Sequence, residues 1–220
     1  MTTPLLPVFV KLEGRPCLVA GAGVVALQKI TSLLECGANV TVVAPEAREE
    51  VRELATHQKI HWLERPYRPE DIAGHHLVIA ATSDVEINHT VYRDAVRAGV
   101  LANAVDDPPF CDFYFGSVVR RGPLQIGIST AGESPALAQR LRQQLEAMLD
   151  HTVGPWLERL GGLRREVLAT KPAGEERNRL LRTLASRDVC DAETCPSRQL
   201  ALGPIPQESA SHETASWWLT

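Results

Sequence analysis

A glycine-rich turn early in the chain has the pattern of a phosphate-binding site. The apolar run Pro16–Ala20 leads into Gly21-Ala22-Gly23, and Ala26 lies in the helical pattern that follows. This G-x-G-x-x-A spacing is typical of dinucleotide-binding domains, because the glycines allow a tight turn and let a pyrophosphate approach the backbone. The helix N-terminus adds free N–H groups. The alternative is a turn that uses glycine for its geometry alone.

The end of the second predicted strand indicates which dinucleotide is favoured. An acid that binds the ribose is expected about 20 residues after the glycines. Here the strand ends at Ala44 and Pro45, and the nearest acid, Glu46, follows the proline. Arg48 is predicted to lie a turn into the next helix, residues 46–57. We therefore favour NAD over NADP, with the ribose held by backbone groups.

A further strand end, after residues 77–81, contributes two hydroxyls. Thr82 and Ser83 could contact the cofactor, and Asn88 one turn later has the same ambiguity. The alternative is that Ser83 or Asp84 only caps the next helix. The predicted cofactor-binding residues are Gly21, Ala22, Gly23, Val24, Val25, Ala44, Pro45, Thr82 and Ser83.

Two adjacent carboxylates, Asp106 and Asp107, follow the fifth predicted strand, at the edge of a parallel sheet where ligands bind. One can act as an acid or base while the other orients or caps the loop. The alternative is a solvated Asp-Pro turn. Four of the chain's eleven aromatic residues lie between positions 110 and 115, which favours a flat apolar surface beside the carboxylates. Phe113 and Phe115 could instead face the core.

A basic segment and a polar turn come next. Residues 113–142 hold four arginines against one acid, Glu133, a local charge of +3 that suits an acidic small molecule unless these are solvated surface arginines. The hydroxyls of residues 129–135 either bind substrate or cap a helix through Ser134. The predicted substrate-binding residues are Asn103, Asp107, Phe113, Arg120, Ser129, Thr130, Gly132 and Ser134, and no preformed metal site is predicted.

The elements that position these residues alternate between strand and helix from about residue 15 to 105. This alternation predicts an α/β fold, a Rossmann-like parallel sheet with helices on both faces. Strands at 113–120 and 123–129 then follow without a helix between them, and a helix is predicted at 136–149. Further helices are expected to residue 186, with a break near Pro172–Gly174, and residues 187–220 are predicted to be disordered.

The composition excludes several classes of protein. A net charge of −4 over 220 residues excludes a strongly basic nucleic-acid binder and a disordered acidic tail protein. No apolar run approaches the roughly 18 residues of a membrane span. The cysteine count of five is odd, which argues against a disulfide framework, and the N-terminus lacks the cationic region of a signal peptide. We therefore expect a cytoplasmic protein with no nucleic-acid or membrane partner.

Five motifs, taken in order, resemble the precorrin-2 dehydrogenase/sirohydrochlorin ferrochelatase family of sirohaem synthesis. They are GAGVVALQK, VTVVAPE, LVIAATSD, NAVDDPPFCDF and RRGPLQIGISTAGESPALAQRLR, and the resemblance covers about residues 5–150. Ala131 stands where the serine-rich turn of the family usually has its first glycine. The resemblance therefore carries across both the glycine turn and the candidate catalytic turn.

The resemblance implies oxidation of precorrin-2 to sirohydrochlorin with NAD⁺, and for many family members insertion of Fe²⁺ to make sirohaem. It identifies Asp106 as the acidic residue central to catalysis and Ser129 as the first serine of the serine-rich turn. It further implies a homodimer with an NAD-binding domain at 1–112, a dimerisation segment at 113–150 and a small all-helical C-terminal domain at 151–220.

Two other functions stay open at the level of sequence. The same fold could bind NAD as a regulatory sensor without catalysis, or it could oxidise another acidic metabolite. The sequence leaves open whether the chain inserts a metal. Cys190, Cys195 and His212 supply only a partial ligand set, since four well-spaced ligands are not visible.

Overall fold

The computed structural model describes residues 4–185, which divide into two units. The first unit contains residues 4–115 together with Ser129–Ser134, and the second contains Gly116–Ile128 and the residues from Pro135 onward. The predicted disordered tail, with Cys190, Cys195 and His212, lies outside the described residues. The division into domains at 112 and 150 stays a prediction.

A parallel five-stranded sheet forms the centre of the first unit. Its order is β3-β2-β1-β4-β5, so the connections reverse direction between β1 and β4. In such sheets the ligand binds at the carboxyl ends of the strands, beside this reversal. The strands are β1 Pro16–Ala20, β2 Asn39–Val43, β3 Ile60–Leu63, β4 Leu77–Ala80 and β5 Leu101–Ala104. The predicted Rossmann-like parallel sheet is confirmed.

Helices cover both faces of this sheet. On one face, α1 (Val24–Glu35) and α2 (Glu49–Thr56) pack on side chains of β1 to β4. On the other face, α3 (Val85–Ala98) packs on β4 and β5. The buried residues Ala26, Ile30 and Leu33 of α1 recur at helical spacing, as expected for a helix with one core-facing stripe.

The ends of α3 follow from its local sequence. The Asp84 carboxylate accepts hydrogen bonds from the N–H groups of Glu86 and Ile87, which caps the helix. Gly99 ends it in the left-handed conformation, with φ of 69°. The expectation that Ser83 or Asp84 caps this helix is therefore confirmed for Asp84.

The second unit joins a hairpin to three helices. Strands β6 and β7 are antiparallel, and the side chain of Arg121 fastens the hairpin by donating to the carbonyls of Glu146 and Leu149 at 2.9 and 3.0 Å. Leu163 and Leu180 belong to the core between the last two helices. The elements are β6 Ser117–Arg121, β7 Leu124–Ile128, α4 Pro135–Met148, α5 Val153–Thr170 and α6 Glu175–Ala185.

Two element predictions were wrong. The strand predicted from residue 113 begins only at Ser117, because the Phe113 carbonyl accepts a hydrogen bond from the Asn103 side chain instead of pairing in a sheet. The helix predicted from residue 46 begins at Glu49, because Arg48 is extended and its N–H donates to the Ala22 carbonyl. The connection between β3 and β4 contains a short 3-10 helix, Pro69–Ile72.

Candidate active site

The glycine turn is held where the carboxyl ends of three strands meet. Gly21 has φ of 110°, and its N–H donates to the Val43 carbonyl at 2.9 Å. A Cβ atom added to Gly21 would lie 2.4 Å from the carbonyl oxygen of Ala81. Only glycine fits this position, since both the backbone conformation and the space exclude a side chain. The turn is therefore packed closely between β1, β2 and β4.

The N-terminus of α1 is open to a phosphate. Gly23 is the N-cap residue and no side chain caps the helix, so the first N–H groups of the helix have no side-chain partner there. A Cβ added to Gly23 would have no atom within 4 Å, which leaves open space above the turn. Ala22 is buried, while Val24 and Val25 are exposed on the first turn. These features fit the pyrophosphate of a dinucleotide.

The end of β2 differs from the prediction in one respect. Arg48 lies in the loop before α2 and not within the helix, and its N–H donates to the Ala22 carbonyl of the glycine turn at 3.2 Å. Its guanidinium pairs with Glu50 at 3.0 Å, and this hydrogen bond lowers the pKa of Glu50. Ala44 is buried, and its carbonyl accepts a hydrogen bond from Trp62. An arginine therefore stands near the expected ribose position, paired with an acid.

The end of β4 is tied to α3 through Asn88. The Asn88 amide oxygen accepts hydrogen bonds from the N–H and hydroxyl of Thr82 at 3.0 and 2.7 Å, and its NH₂ donates to the Thr82 carbonyl. Asn88 is buried, so these bonds define a structural role. Ser83 is exposed and makes no hydrogen bond among residues 4–185, which leaves its hydroxyl available to a ligand.

The turn after β5 presents its two carboxylates differently. Asp106 is exposed and has φ of 62°, a conformation that costs a residue with a side chain roughly 1 kcal/mol. Asp107 is half-buried, and its Oδ2 lies 2.6 Å from Nε2 of His89 on α3. Asn103 is buried, and its side chain donates to the Phe113 carbonyl at 2.7 Å. Asp106 is thus the carboxylate of this pair that faces solvent.

Aromatic contacts fix the His89 side chain. The ring of Phe110 stacks on the imidazole with centroids 3.7 Å apart, and Tyr92 packs edge-on against Phe110. The Tyr92 hydroxyl donates to Asp112, which raises the pKa of Tyr92, and the other oxygen of Asp112 accepts from the Ala102 N–H. Sequence reasoning missed His89; its only signal was its place on the helix that follows a ligand-binding strand end.

Lys29 is a second residue that sequence reasoning missed. Its Nζ lies 4.1 Å from the centroid of the Phe115 ring, and Phe113 packs edge-on against Phe115. Burial lowers the pKa of Lys29, and the nearby Asp106 carboxylate partly offsets that effect. Phe113 is half-buried against the core, as one of the alternatives allowed, whereas Phe115 is exposed. An ammonium group, an aromatic face and a carboxylate therefore lie together at this edge.

The predicted serine-rich turn belongs to the first unit, although the hairpin before it and the helix after it belong to the second. The Ser129 hydroxyl accepts a hydrogen bond from the Ala131 N–H, and that of Thr130 accepts from the Ser134 N–H. Ala131 has φ of 51°, followed by Gly132 with φ of 86°. The left-handed turn explains why a glycine suits the position of Ala131.

The predicted basic segment is partly neutralised by an acid beyond it. Glu146 pairs with Arg121 at 3.5 Å and also with Arg142. Arg120 is exposed on β6 in the second unit. The local charge of +3 therefore overstates the positive charge available to a ligand, because the count from sequence stopped four residues short of Glu146.

The described residues hold neither a metal-ligand cluster nor a helix that could span a membrane. Among residues 4–185 no group of three His, Cys, Asp or Glu side chains could hold a metal ion. The helices in that range are also too short or too polar to cross a membrane. Burial raises the pKa of Cys111, which donates to backbone carbonyls and packs in the turn.

The parallel sheet and the open glycine turn define an NAD(P)-binding domain, and comparison with known proteins agrees. A family model described as NAD(P)-binding matches residues 8–117, so the chain belongs to this family. A second model, described as the central part of sirohaem biosynthesis proteins, matches residues 121–148.

Curated relatives make the comparison more specific. Siroheme synthase 3 of Aeromonas hydrophila is 38% identical over 94% of this chain and 45% of its own length. Siroheme synthase of Neisseria meningitidis serogroup C is 43% identical over 79% of this chain and 36% of its own length. The chain thus spans less than half the length of these relatives. The resemblance inferred from the five motifs is confirmed.

A solved structure confirms the fold. The structure titled "SirC, precorrin-2 dehydrogenase" superposes with a TM-score of 0.74 at 24% identity, covering 90% of this chain and 97% of that one. At this identity the likeness concerns the fold. It includes the Rossmann-like sheet and the C-terminal helices that the sequence predicted.

Proposed function

We propose that this chain oxidises precorrin-2 to sirohydrochlorin, with NAD⁺ as the hydride acceptor. The observation that carries the proposal is that one structural unit places a phosphate-binding turn and an exposed carboxylate, Asp106, at the ends of strands of one sheet. The exposed ring of Phe115 lies by Lys29, which in turn is close to Asp106, and it offers an apolar surface to a flat macrocycle. The relatives named siroheme synthase and the structure titled precorrin-2 dehydrogenase support this substrate.

The dinucleotide would be held mainly by backbone groups. The N–H groups at the start of α1 bind the pyrophosphate above Gly23, and Ser83 offers a hydroxyl from the end of β4. The Arg48 guanidinium near the ribose position pairs with Glu50 at the exposed surface, so a 2′-phosphate would have to compete with that carboxylate. We retain NAD as the proposed cofactor. When bound, the nicotinamide supplies the hydride acceptor.

Asp106 is our candidate for the base that accepts a proton from the macrocycle. Its carboxylate is exposed at the carboxyl edge of the sheet, and the Asp107–His89 hydrogen bond anchors the residue next to it. Its left-handed backbone is a strain that the surrounding turn maintains, as is common at functional sites. Lys29 supplies positive charge beside Asp106. The same carboxylate could take pyrrole protons if Fe²⁺ is a second substrate.

The oligomeric state and location are also proposals. The resemblance implies a homodimer, and α4 exposes Leu141 and Met148, at 37% and 77%, on the segment predicted to dimerise. We propose a cytoplasmic location from the cysteine content. We likewise propose the three parts that the resemblance implies: an NAD-binding domain, a dimerisation segment and a small helical C-terminal domain.

The decisive experiment incubates the purified protein with NAD⁺ and precorrin-2 and follows NADH and sirohydrochlorin by absorbance. We expect both to form at equal rates, and Asp106→Ala to lower kcat about a hundredfold or more, the usual range for loss of a general base. Affinity for NAD⁺ should be unchanged in the variant, which controls for folding.

The outcomes separate the candidate functions and test the role of Asp106. If the protein binds NAD⁺ but does not turn over precorrin-2, the result supports a regulatory NAD sensor. If it turns over a different acidic metabolite, the result supports a dehydrogenase of that metabolite. Unchanged turnover by Asp106→Ala removes Asp106 from the oxidation. Adding Fe²⁺ to the product then tests metal insertion, since a purely spontaneous rate restricts the chain to oxidation.

A further inference from the structure

Lys29 projects from α1 toward the candidate catalytic turn. Its neighbours Ala26 and Ile30 face the core, so Lys29 lies at the margin of the buried stripe and is itself half-buried. Its Nζ contacts the face of Phe115 at 4.1 Å. Among residues 4–185 this ammonium forms neither an ion pair nor a hydrogen bond. A charged group is thus partly removed from water without a partner that accepts its protons.

That arrangement costs free energy unless something compensates it. A half-buried ammonium loses part of its hydration, and burial accordingly lowers the pKa of Lys29. The π face of Phe115 and the charge of Asp106 offset part of this cost. Neither takes up the three N–H donors of the ammonium group in a hydrogen bond. A ligand with an anionic oxygen would complete the site.

We propose that Lys29 binds a carboxylate of the substrate and so positions the macrocycle over Asp106. The inference rests on the proposed function, in which the substrate is a tetrapyrrole with carboxylate side chains. The side chain of Phe115, which the ammonium group contacts, gives the macrocycle an apolar surface next to Lys29. Lys29 therefore contributes to the affinity for the macrocycle, and Asp106 accepts the proton that the macrocycle loses.

A matched pair of variants tests this role. Lys29→Met keeps the apolar stem against Phe115 and removes the charge, so the fold should be retained. Lys59→Met makes the same change at an exposed lysine before β3, at the opposite edge of the sheet. Lys29→Arg keeps a positive charge and is the conservative variant.

The measurement is binding of uroporphyrin, a stable tetrapyrrole rich in carboxylates, followed by quenching of tryptophan fluorescence. We expect Lys29→Met to raise the dissociation constant about tenfold or more, as for loss of one hydrogen bond between charged groups. Lys59→Met should bind like the wild type, and Lys29→Arg should recover most of the affinity. In turnover assays KM for precorrin-2 should rise more than kcat falls.

The outcomes distinguish this inference from the proposed function. If Lys29→Met binds uroporphyrin as tightly as Lys59→Met, or lowers kcat alone, Lys29 does not hold the substrate. If the wild type binds uroporphyrin in a Lys29-dependent way but does not oxidise precorrin-2, the anion site stands and the dehydrogenase function falls. If the wild type binds no tetrapyrrole, both are overturned.

Discussion

The turn after β1 and the turn after β5 lie at the same edge of one sheet but are built from different parts of the chain. The first is made of backbone: Gly21 packs against the Ala81 carbonyl, and Gly23 leaves the start of α1 open. The second is made of side chains, with Asp107 held by His89 and with Lys29 placed over Phe115.

The difference follows from what each turn has to bind. A pyrophosphate is recognised by backbone N–H groups, which every residue except proline carries, so the requirement on side chains is that they be small. A macrocycle that gives up a proton needs a carboxylate at a defined place, and side chains from distant helices must position it. Substitutions in the first turn should therefore act by straining the backbone, and substitutions around the second turn should act by removing individual side-chain contacts.

The largest effect is expected at Gly21. Gly21→Ala places a Cβ 2.4 Å from the Ala81 carbonyl at a positive φ, so the turn must move. We expect the free energy of unfolding to fall by about 3 kcal/mol, in the range of strongly destabilising single substitutions. Affinity for NAD⁺ should be lost with it. Urea denaturation and calorimetric titration with NAD⁺ measure the two effects.

Gly74 is the matched control for that substitution. It also has a positive φ, 79°, but a Cβ there would have no atom within 4 Å. Gly74→Ala should cost only the backbone strain, about 1 kcal/mol, and leave NAD⁺ binding intact. Equal losses in the two variants would show that the close packing of Gly21 is not what distinguishes the glycine turn.

An intermediate effect is expected at His89. His89→Leu removes the hydrogen bond to Asp107 while keeping an apolar contact with Phe110, so the turn loses its anchor. We expect kcat for precorrin-2 to fall about tenfold, a common cost when a contact that positions a catalytic group is lost. KM for NAD⁺ should not change, because the glycine turn is separate.

His89→Asn keeps a hydrogen-bond donor at this position and serves as the conservative variant. This variant should recover part of the kcat that His89→Leu loses. If His89 had a purely structural role, both variants would change in thermal stability but would have the same kcat. A His89→Leu enzyme with wild-type kcat would mean that Asp106 is positioned without this pair.

The smallest effect is expected in the serine-rich turn, which is held both by its backbone conformation and by side-chain hydrogen bonds. Ala131 adopts φ of 51° without being glycine, while the hydroxyls of Ser129 and Thr130 accept backbone hydrogen bonds. Ala131→Gly should raise the free energy of unfolding by up to about 1 kcal/mol, because the left-handed strain exceeds the entropy that glycine adds. Thermal unfolding monitors the change, and a lower melting temperature would contradict it.

Much of the first turn and of the surrounding fold could be predicted from sequence. The alternation of strands and helices, the glycine pattern and the cap at Asp84 depend on residues within a few positions of each other. Such local preferences act wherever the segment lies. The predictions that failed, at Arg48 and at Phe113, are places where a distant group binds the backbone: the Ala22 carbonyl in one case and the Asn103 amide in the other.

The sequence by itself determined that the chain would form a parallel sheet with the glycine turn, because steric limits and apolar periodicity depend on short segments of sequence. Only the tertiary structure decided which side chains stand beside Asp106. His89 lies on α3 and contacts Asp107, which follows β5. Lys29 lies on α1, the helix that begins at the glycine turn, and contacts Phe115. These contacts depend on the order of the strands and the faces that the helices cover, and that order is set by packing of the whole unit.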